Sequence, residues 1–280
     1  MYTVPYSTGE LRFELPAGMR GQVAVSRSVH PLEDVTKAIR EAVAQPIASP
    51  PLRELARAGD RVAIVFTDIT RASPDHLFMP AVLAELEAAG VRDEDITLIC
   101  GVGLHRPSTD EEKVQKLGRD VAARYRVVDH NARDPDGLVD LGTTGGSVPL
   151  AVNKIAYQAD LLIATGLVEP HQYAGYSGGS KTLAIGAGGE KTIEYTHGPA
   201  MLDHPGTRLG RVEGNPFQEA VLEAARRAGL RFVVNAVLDD AKRIVAVAAG
   251  APQETHAALV EKARALYEVP IDRQFDVAVA

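Results

Sequence analysis

Charged and titratable side chains follow three apolar segments of the sequence, each within four positions of the segment's end. The segments are 61–67, 96–103 and 161–168, and the side chains that follow them are Asp68, Arg71, His105 and His171. Imidazole groups titrate near neutral pH, so two histidines in one cleft suit proton transfer, and they suit metal binding equally well. Ligands bind at the carboxyl ends of strands in open α/β sheets, so we expect one shared cleft if the three segments are neighbouring strands.

The densest cluster of unusual residues is the glycine-rich stretch 170–198. Within it, residues 175–182 read GYSGGSKT, which approaches the phosphate-binding pattern GxxxxGK[ST] but has Ser180 in place of the second glycine. The backbone N–H groups of such a loop can bind an anion at the start of a helix. The pattern predicts phosphate binding with Lys181 as a contact, although a sharp turn between strand and helix explains the glycines alone equally well.

A kinase or ATPase that uses residues 175–182 is therefore one possible function. The missing glycine weakens this interpretation. So does the lack of an acidic residue ending a nearby later strand, because Asp239 and Asp240 lie far downstream.

The composition excludes several classes of protein. Of the 280 residues, 45% are apolar and the net charge is −7, so nothing indicates a basic surface for nucleic acid. The single cysteine, Cys100, excludes an internal disulfide and a zinc cluster of several cysteines. No apolar run approaches the ~18 residues of a membrane span, and the N-terminus carries no secretion signal. We therefore expect a soluble, cytoplasmic protein without nucleic-acid or membrane partners.

Strand-like apolar runs alternate with helical patterns from residue 61 onward. The predicted strands are 61–68, 95–103, 127–131, 161–168, 231–240 and 243–250, the last two as a pair. The predicted helices are 73–90, 108–118, 150–159, 215–229 and 251–267, and Ser108 and Glu111 have capping-box spacing. This alternation predicts a doubly wound, Rossmann-like α/β fold: a mainly parallel sheet with helices on both faces.

The first 60 residues are less regular, and the chain ends on an apolar run. We expect short strands at 11–16 and 22–28, a helix that starts near Pro31, and a strand-like run at 275–280. The histidines outside the motifs fall in predicted helices or loops, and we expect most of them to be solvated; they are His30, His76, His130, His204 and His256.

Four motifs together resemble the nickel-pincer lactate racemase family. They are DITR at 68–71, GLHRP at 103–107, EPHQYAGYSGGSK at 169–181 and THG at 196–198. The spacing resembles that family too, since 66, 10 and 16 residues separate His105, His171, Lys181 and His197 in turn. The resemblance implies a nickel-dependent isomerase that racemises or epimerises 2-hydroxy acids such as lactate, by hydride transfer coupled to proton transfer.

The resemblance also implies a cofactor and a role for each motif residue. The cofactor would be Ni(II) held by a pyridinium-3-thioamide-5-thiocarboxylic acid mononucleotide, a soft-donor set that suits nickel. By motif position, Lys181 is the covalent tether, His197 the nickel ligand, and His105 and His171 the two acid/base groups. The remaining matched positions are Arg71 for the substrate carboxylate and cofactor, Asp68 for the cofactor, and Ser177, Gly178 and Gly179 for its phosphate.

Plainer roles compete with three of these assignments: Asp68 as a helix-start cap, Lys181 as a simple phosphate contact and His197 as the end of a helix. A non-catalytic cofactor carrier or sensor is a further alternative.

The resemblance implies that residues 1–270 form an N-terminal cofactor-holding domain and that 271–280 begin the crossover to a second domain, which is absent. We therefore expect a piece of a longer protein, with little or no activity by itself. The expected partners are a small 2-hydroxy acid and the maturation enzymes that make the cofactor. Protein made without those enzymes is expected to lack it.

Overall fold

The computed structural model describes residues 1–7, 9–145 and 147–279. In chain order its strands are β1 (Tyr2–Tyr6), β2 (Gly9–Phe13), β3 (Val62–Thr67), β4 (Ile96–Gly101), β5 (Arg126–Asp129), β6 (Leu138–Thr143), β7 (Pro149–Asn153), β8 (Leu161–Leu167), β9 (Pro170–His171), β10 (Gly175–Tyr176), β11 (Leu230–Leu238) and β12 (Ile244–Gly250). Its α-helices are α1 (Val35–Ala44), α2 (Leu52–Leu55), α3 (Asp75–Ala88), α4 (Asp110–Leu117), α5 (Arg119–Arg124), α6 (Lys154–Tyr157), α7 (Glu190–Thr196), α8 (Pro199–Leu202), α9 (Pro216–Ala228) and α10 (Pro252–Tyr267). A π-helical turn covers Thr182–Gly186.

A six-stranded sheet in the order β12-β11-β8-β3-β4-β5 organises these elements. Its neighbouring strands are parallel except for β12, which runs antiparallel to β11 as the predicted pair required. The predicted α/β class with a mainly parallel sheet is confirmed. Strands β8, β3 and β4 are adjacent, so the residues that follow them meet at one edge of the sheet.

Helices cover both faces of the sheet because its central strands are apolar on both sides. In β3, Ile64 and Phe66 pack into one core with residues of α1 and α3. The alternate residues Ala63 and Val65 pack into a second core with residues of α6, α9 and the π-helical turn. Side chains that alternate along a strand point to opposite faces, so the continuous apolar run supplies both cores.

The predicted helix at 150–159 is wrong. Residues Pro149–Asn153 form β7, which pairs with β6 in an antiparallel hairpin, and only Lys154–Tyr157 are helical. The side chain of Asn153 accepts hydrogen bonds from the N–H groups of Ile155 and Ala156, so the helix begins after it. Leu150 and Val152 of this hairpin are buried in cores that contain residues of α9.

The capping box of α4 is displaced by one residue from the predicted pair. Thr109 Oγ1 accepts from Glu112 N at 3.2 Å, and the Glu112 carboxylate accepts from Thr109 N at 2.8 Å. Ser108 Oγ lies instead 3.4 Å from Cys100 Sγ, so this hydroxyl faces the sheet rather than the helix end.

The two ends of the chain also differ from the prediction. The N-terminal strands form a hairpin of β1 and β2, which is earlier in the chain than predicted, and residues 22–28 form no strand. Helix α1 begins at Val35, because Asp34 caps it by accepting from Lys37 N. Residues 275–279 form no strand and are mostly exposed, and Ala280 lies outside the described residues.

Two of the five other histidines are buried rather than solvated. His130 is 2% exposed and His256 is 3% exposed, whereas His30, His76 and His204 lie at the surface. His130 Nε2 donates to Gly188 O at 2.8 Å, and its Nδ1 accepts from Asn153 Nδ2 at 3.1 Å. His256 Nε2 donates to Ser177 O at 2.9 Å. The bond that Nδ1 accepts from Asn153 keeps the His130 ring neutral.

We expect the stability of the fold to fall as the pH drops below about 6.5, the value for histidine in an unfolded chain. Burial lowers the pKa of His130 and of His256, so below that pH the unfolded chain takes up protons that the folded chain does not. Each such proton costs about 1.4 kcal/mol of unfolding free energy per pH unit. Urea unfolding between pH 7 and pH 5 measures this slope.

In the variant His130→Gln the free energy of unfolding should change less steeply with pH, because the amide retains a donor and an acceptor but does not titrate. His76→Gln, at an exposed position of α3, is the matched control. Equal slopes in His130→Gln and the unmodified chain would contradict the prediction.

None of the helices in the described part of the chain is long and apolar enough to span a membrane.

Candidate active site

A cavity of about 460 Å³ opens where β3, β4 and β8 end. Its wall contains eight of the nine residues that the sequence singled out: Asp68, Arg71, His105, His171, Ser177, Gly178, Lys181 and His197. Gly179 is the exception. Its N–H donates to Asn235 Oδ1 at 2.6 Å, and its Cα is covered by the His256 ring.

Asp68 and His105 form a hydrogen-bonded pair at this cavity. Asp68 Oδ2 lies 2.6 Å from His105 Nδ1, and Asp68 Oδ1 accepts from Thr70 Oγ1 at 2.7 Å. An ionised carboxylate only accepts, so His105 Nδ1 carries the proton and its Nε2 lone pair is free to accept one. Asp68 does not cap α3, which begins seven residues later at Asp75. The histidine partner of Asp68 is not indicated by the sequence.

His171 is held in the opposite tautomer. Its Nδ1 accepts from the backbone N–H groups of Tyr173 (3.2 Å) and Ala174 (3.1 Å), so the proton of the neutral ring is on Nε2. Burial, together with the nearby cations Lys181 and Arg71, lowers the pKa of His171 to about 3. His105 therefore presents a proton acceptor, whereas His171 presents a donor.

His197 directly follows the last residue of α7, and its ring is tied back to that helix. Its Nδ1 donates to Ile193 O at 2.9 Å and lies 3.1 Å from Thr196 Oγ1. Burial lowers the pKa of His197, although the bond to Ile193 acts in the opposite direction. The neutral ring thus keeps its Nε2 lone pair free, as in metal-binding histidines that donate their other nitrogen to a carbonyl.

Two aromatic side chains hold His171 and His197 next to each other. The buried Phe217 ring lies 6.1 Å from the His171 ring and 5.2 Å from the His197 ring, between ring centroids. The Tyr173 ring lies 5.9 Å and 5.8 Å from the same two rings. The sequence indicates neither role, because Phe217 follows Pro216 in the predicted helix 215–229 and carries no motif of its own. Tyr173 lies inside the quoted motif 169–181.

Lys181 immediately precedes the π-helical turn, a rare element that is frequent at functional sites. Its side chain is partly buried, and within the described part of the chain its ammonium makes no hydrogen bond or ion pair. Burial, together with the charge of Arg71 and against the opposing effect of Glu169, lowers the pKa of Lys181 to about 8. About a tenth of this amine is therefore uncharged and nucleophilic at pH 7, far more than for a lysine in water.

The glycine-rich loop differs from a phosphate-binding loop in its surroundings. Its first two residues form the strand β10, which pairs with β9 outside the main sheet. Its last residue, Thr182, begins the π-helical turn. The Ser177 hydroxyl donates to Leu167 O at 2.7 Å. Gly178 has a φ of +78°, and a Cβ there would lie 2.7 Å from Val168. Close packing against β8 explains this glycine.

No group of three or more His, Cys, Asp or Glu side chains among the described residues is placed to bind a metal ion. His197 could therefore supply one ligand, and a bound metal would need its other ligands from elsewhere.

Comparison with known proteins assigns the family. Residues 6–210 match the family model of the lactate racemase N-terminal domain. The chain belongs to the lactate racemase family. The matched residues contain every motif position of the cavity, from Asp68 to His197.

Curated lactate racemases extend the match beyond the family model. The chain is 34% identical over 232 residues to the lactate racemase of Lactiplantibacillus plantarum, covering 83% of this chain and 54% of that protein. It is 31% identical over 257 residues to the lactate racemase of Thermoanaerobacterium thermosaccharolyticum, covering 90% of this chain and 60% of that protein. The chain thus spans little more than half the length of these relatives.

Solved structures agree with this family assignment. The lactate racemase apoprotein from Thermoanaerobacterium thermosaccharolyticum superposes with a TM-score of 0.85 at 29% identity, over 94% of this chain and 62% of that one. A Thermotoga maritima protein superposes with a TM-score of 0.64 at 22% identity, over 82% of this chain and 57% of that one, and shares the fold.

Proposed function

We propose that this chain holds the cofactor and the proton-transfer groups of a nickel-dependent racemase or epimerase of 2-hydroxy acids. One observation carries the proposal: two histidines in opposite tautomers share a cavity with an arginine and a lysine that have no polar partner in the described structure. Inverting a centre that bears a hydroxyl needs a group that takes its proton and another that returns one.

The residues fit the nickel-pincer nucleotide that the family resemblance implies. His197 offers an Nε2 lone pair, Lys181 offers an amine that is partly uncharged, and the protein alone provides no complete metal site in the described residues. A single imidazole with sulfur donors from the nucleotide suits square-planar nickel. When bound, this group would accept the hydride from the substrate's Cα and return it.

The chain's own residues would move the hydroxyl proton. His105 accepts it at Nε2, and Asp68 stabilises the resulting imidazolium through the 2.6 Å bond to Nδ1. His171 lies on the other side of the reaction, and its two backbone hydrogen bonds orient the neutral ring so that Nε2–H can donate a hydrogen bond to the substrate oxygen. To return a proton His171 must first be protonated, because loss of Nε2–H from the neutral ring would leave an imidazolate. Because a racemase converts either enantiomer, each histidine must pass between its neutral and its protonated form during turnover.

Arg71 is the group that we expect to bind the substrate carboxylate. It lines the cavity, and its guanidinium has no hydrogen-bonding or ion-pair partner among the described residues. A guanidinium can bind a carboxylate through two parallel hydrogen bonds. The family match supports this isomerase function over the kinase and carrier alternatives.

Producing the protein together with the cofactor maturation enzymes tests the proposal. We expect an added mass on the peptide that contains Lys181, about one nickel per chain, and interconversion of D- and L-hydroxy acids. Lys181→Arg should lose the adduct, whereas Lys191→Arg, at an exposed position of α7, should keep it. An unmodified Lys181 with no bound nickel under these conditions would refute the proposal.

A further inference from the structure

A buried carboxylate lies directly beneath the segment that carries Asp68 and Arg71. The side chain of Asp75, at the start of α3, is fully buried. Its Oδ1 accepts from Thr165 Oγ1 (2.6 Å) and Ser73 Oγ (3.1 Å), and its Oδ2 accepts from Thr67 Oγ1 (2.9 Å). These bonds join the ends of β3 and β8 to the loop formed by residues 68–74.

Lys116 of α4 neutralises this carboxylate and reaches into the same loop. Its Nζ lies 2.6 Å from Asp75 Oδ2, and its side chain is only 6% exposed. The ammonium also donates to Thr67 Oγ1 (2.9 Å), to Arg71 O (3.1 Å) and to Ser73 O (2.8 Å). Two of its four partners are therefore main-chain carbonyls of the 68–74 loop.

Stability alone does not account for this arrangement. The desolvation of a buried ion pair offsets most of its attraction, and apolar side chains of similar volume often stabilise a fold as well or better. What apolar side chains cannot do is bind the carbonyls of a loop that has no regular secondary structure.

The position of Arg71 depends on these bonds. Its guanidinium has no polar partner in the described chain. The position of the guanidinium therefore depends on where the loop places the backbone of Arg71. Arg71 N donates to Asp68 O at 3.1 Å, and Arg71 O accepts from Lys116. One bond ties this residue to the loop itself, and the other ties it to the buried ion pair.

We propose that Lys116 and Asp75 are positioning residues that hold the 68–74 loop, so that Arg71 is aligned to bind the substrate carboxylate. Lys116 touches neither the substrate nor the cofactor in this scheme, and it acts through Arg71. The inference about the carboxylate rests on the proposed function, whereas the inference about the loop stands on its own contacts.

The test uses the double variant Lys116→Met/Asp75→Asn, which removes both charges together. Lys116→Met alone would leave a buried carboxylate unpaired and endanger folding. The single change Asp75→Asn is avoided for the same reason, because it would leave the ammonium unpaired. The matched control is Lys113→Met on the same helix, where Lys113 Nζ pairs with Asp129 at 2.8 Å and does not line the main cavity.

The first measurement is hydrogen exchange of the protein without cofactor, read by mass spectrometry. In the double variant we expect the amides of the 68–74 loop to exchange at least about ten-fold faster, and those of β8 to be unchanged. Lys113→Met should leave the loop as it is. Unchanged loop exchange in the double variant would overturn the proposal, whatever the activity of the protein.

The second measurement separates KM from kcat in the cofactor-loaded enzyme. We expect the double variant to raise KM for the hydroxy acid about ten-fold, since a misaligned guanidinium loses a charge-assisted bond, and to change kcat less than about three-fold. In an Arg71→Ala background the same change should add nothing to KM, because the residue through which it acts is gone. Faster loop exchange with an unchanged KM would overturn the link to Arg71. If Lys181 stays unmodified and no nickel binds, the proposed function fails, and the exchange measurement still decides whether the ion pair holds the loop.

Discussion

Replacing His105 with glutamine is expected to lower kcat for racemisation by about 10²–10⁴-fold, the usual contribution of one acid/base group. His105 is the histidine that presents a free lone pair at the cavity, because Asp68 occupies its Nδ1 at 2.6 Å. Glutamine can hydrogen-bond to Asp68 but cannot take up a proton. Cofactor-loaded protein assayed by chiral chromatography measures the loss.

The His105 substitution should leave the fold intact, because the side chain is half exposed. Circular dichroism and thermal unfolding would confirm this. His76→Gln, which is remote from the cavity lining, should keep full activity. If His105→Gln retains more than a tenth of the kcat at full cofactor loading, His105 is not the acid/base group.

His171→Gln should cause a loss of the same order, for a different reason. The His171 ring donates from Nε2 because two backbone N–H groups occupy Nδ1. Burial is the larger cause of the low pKa of His171, and the charge of Lys181 adds to it. If Lys181 carries the proposed cofactor its charge is lost, so the pKa of His171 should rise in part, while the effect of burial remains.

The place of the cavity, at the carboxyl ends of β3, β4 and β8, could be predicted because the sequence identifies these strands clearly. Ile64, Ile99 and Ile163 lie within continuous apolar runs, which identify central strands of a parallel sheet. Once such strands are adjacent, the residues after them must meet, and the motif residues did so. The hairpin of β6 and β7 was missed because a short apolar segment does not distinguish a strand from a helix.

Contacts between residues far apart in sequence could not be predicted. The Asp68–His105 bond spans 37 positions, and the Thr165–Asp75 bond spans 90. Lys116 lies in the predicted helix 108–118, and nothing in the sequence indicates that its ammonium is buried beneath the 68–74 loop. Periodicity reports which face of a helix is apolar, but it does not reveal which polar side chain finds a buried partner.

Replacing Gly175 with alanine is expected to destabilise the fold by at least about 3 kcal/mol, through backbone strain and overpacking together. Gly175 has a φ of +76°, and a Cβ there would overlap Arg211 O and lie 2.5 Å from Arg211 C. Both atoms belong to the backbone, so no side-chain rotation relieves the clash. Gly175 O also accepts from Gly210 N at 3.1 Å.

The damage should extend to the active site, because Gly175 pairs with His171 in the β9–β10 register. Gly229→Ala is the matched control: its φ is +78°, but a Cβ there meets nothing within 4 Å, so it should cost only about 1–2 kcal/mol. Urea unfolding of both variants separates the clash from the strain that they share. If both variants lose the same free energy of unfolding, the 204–215 segment moves away from the new Cβ. The close packing of Gly175 against Arg211 then does not hold β9, which contains His171, in place.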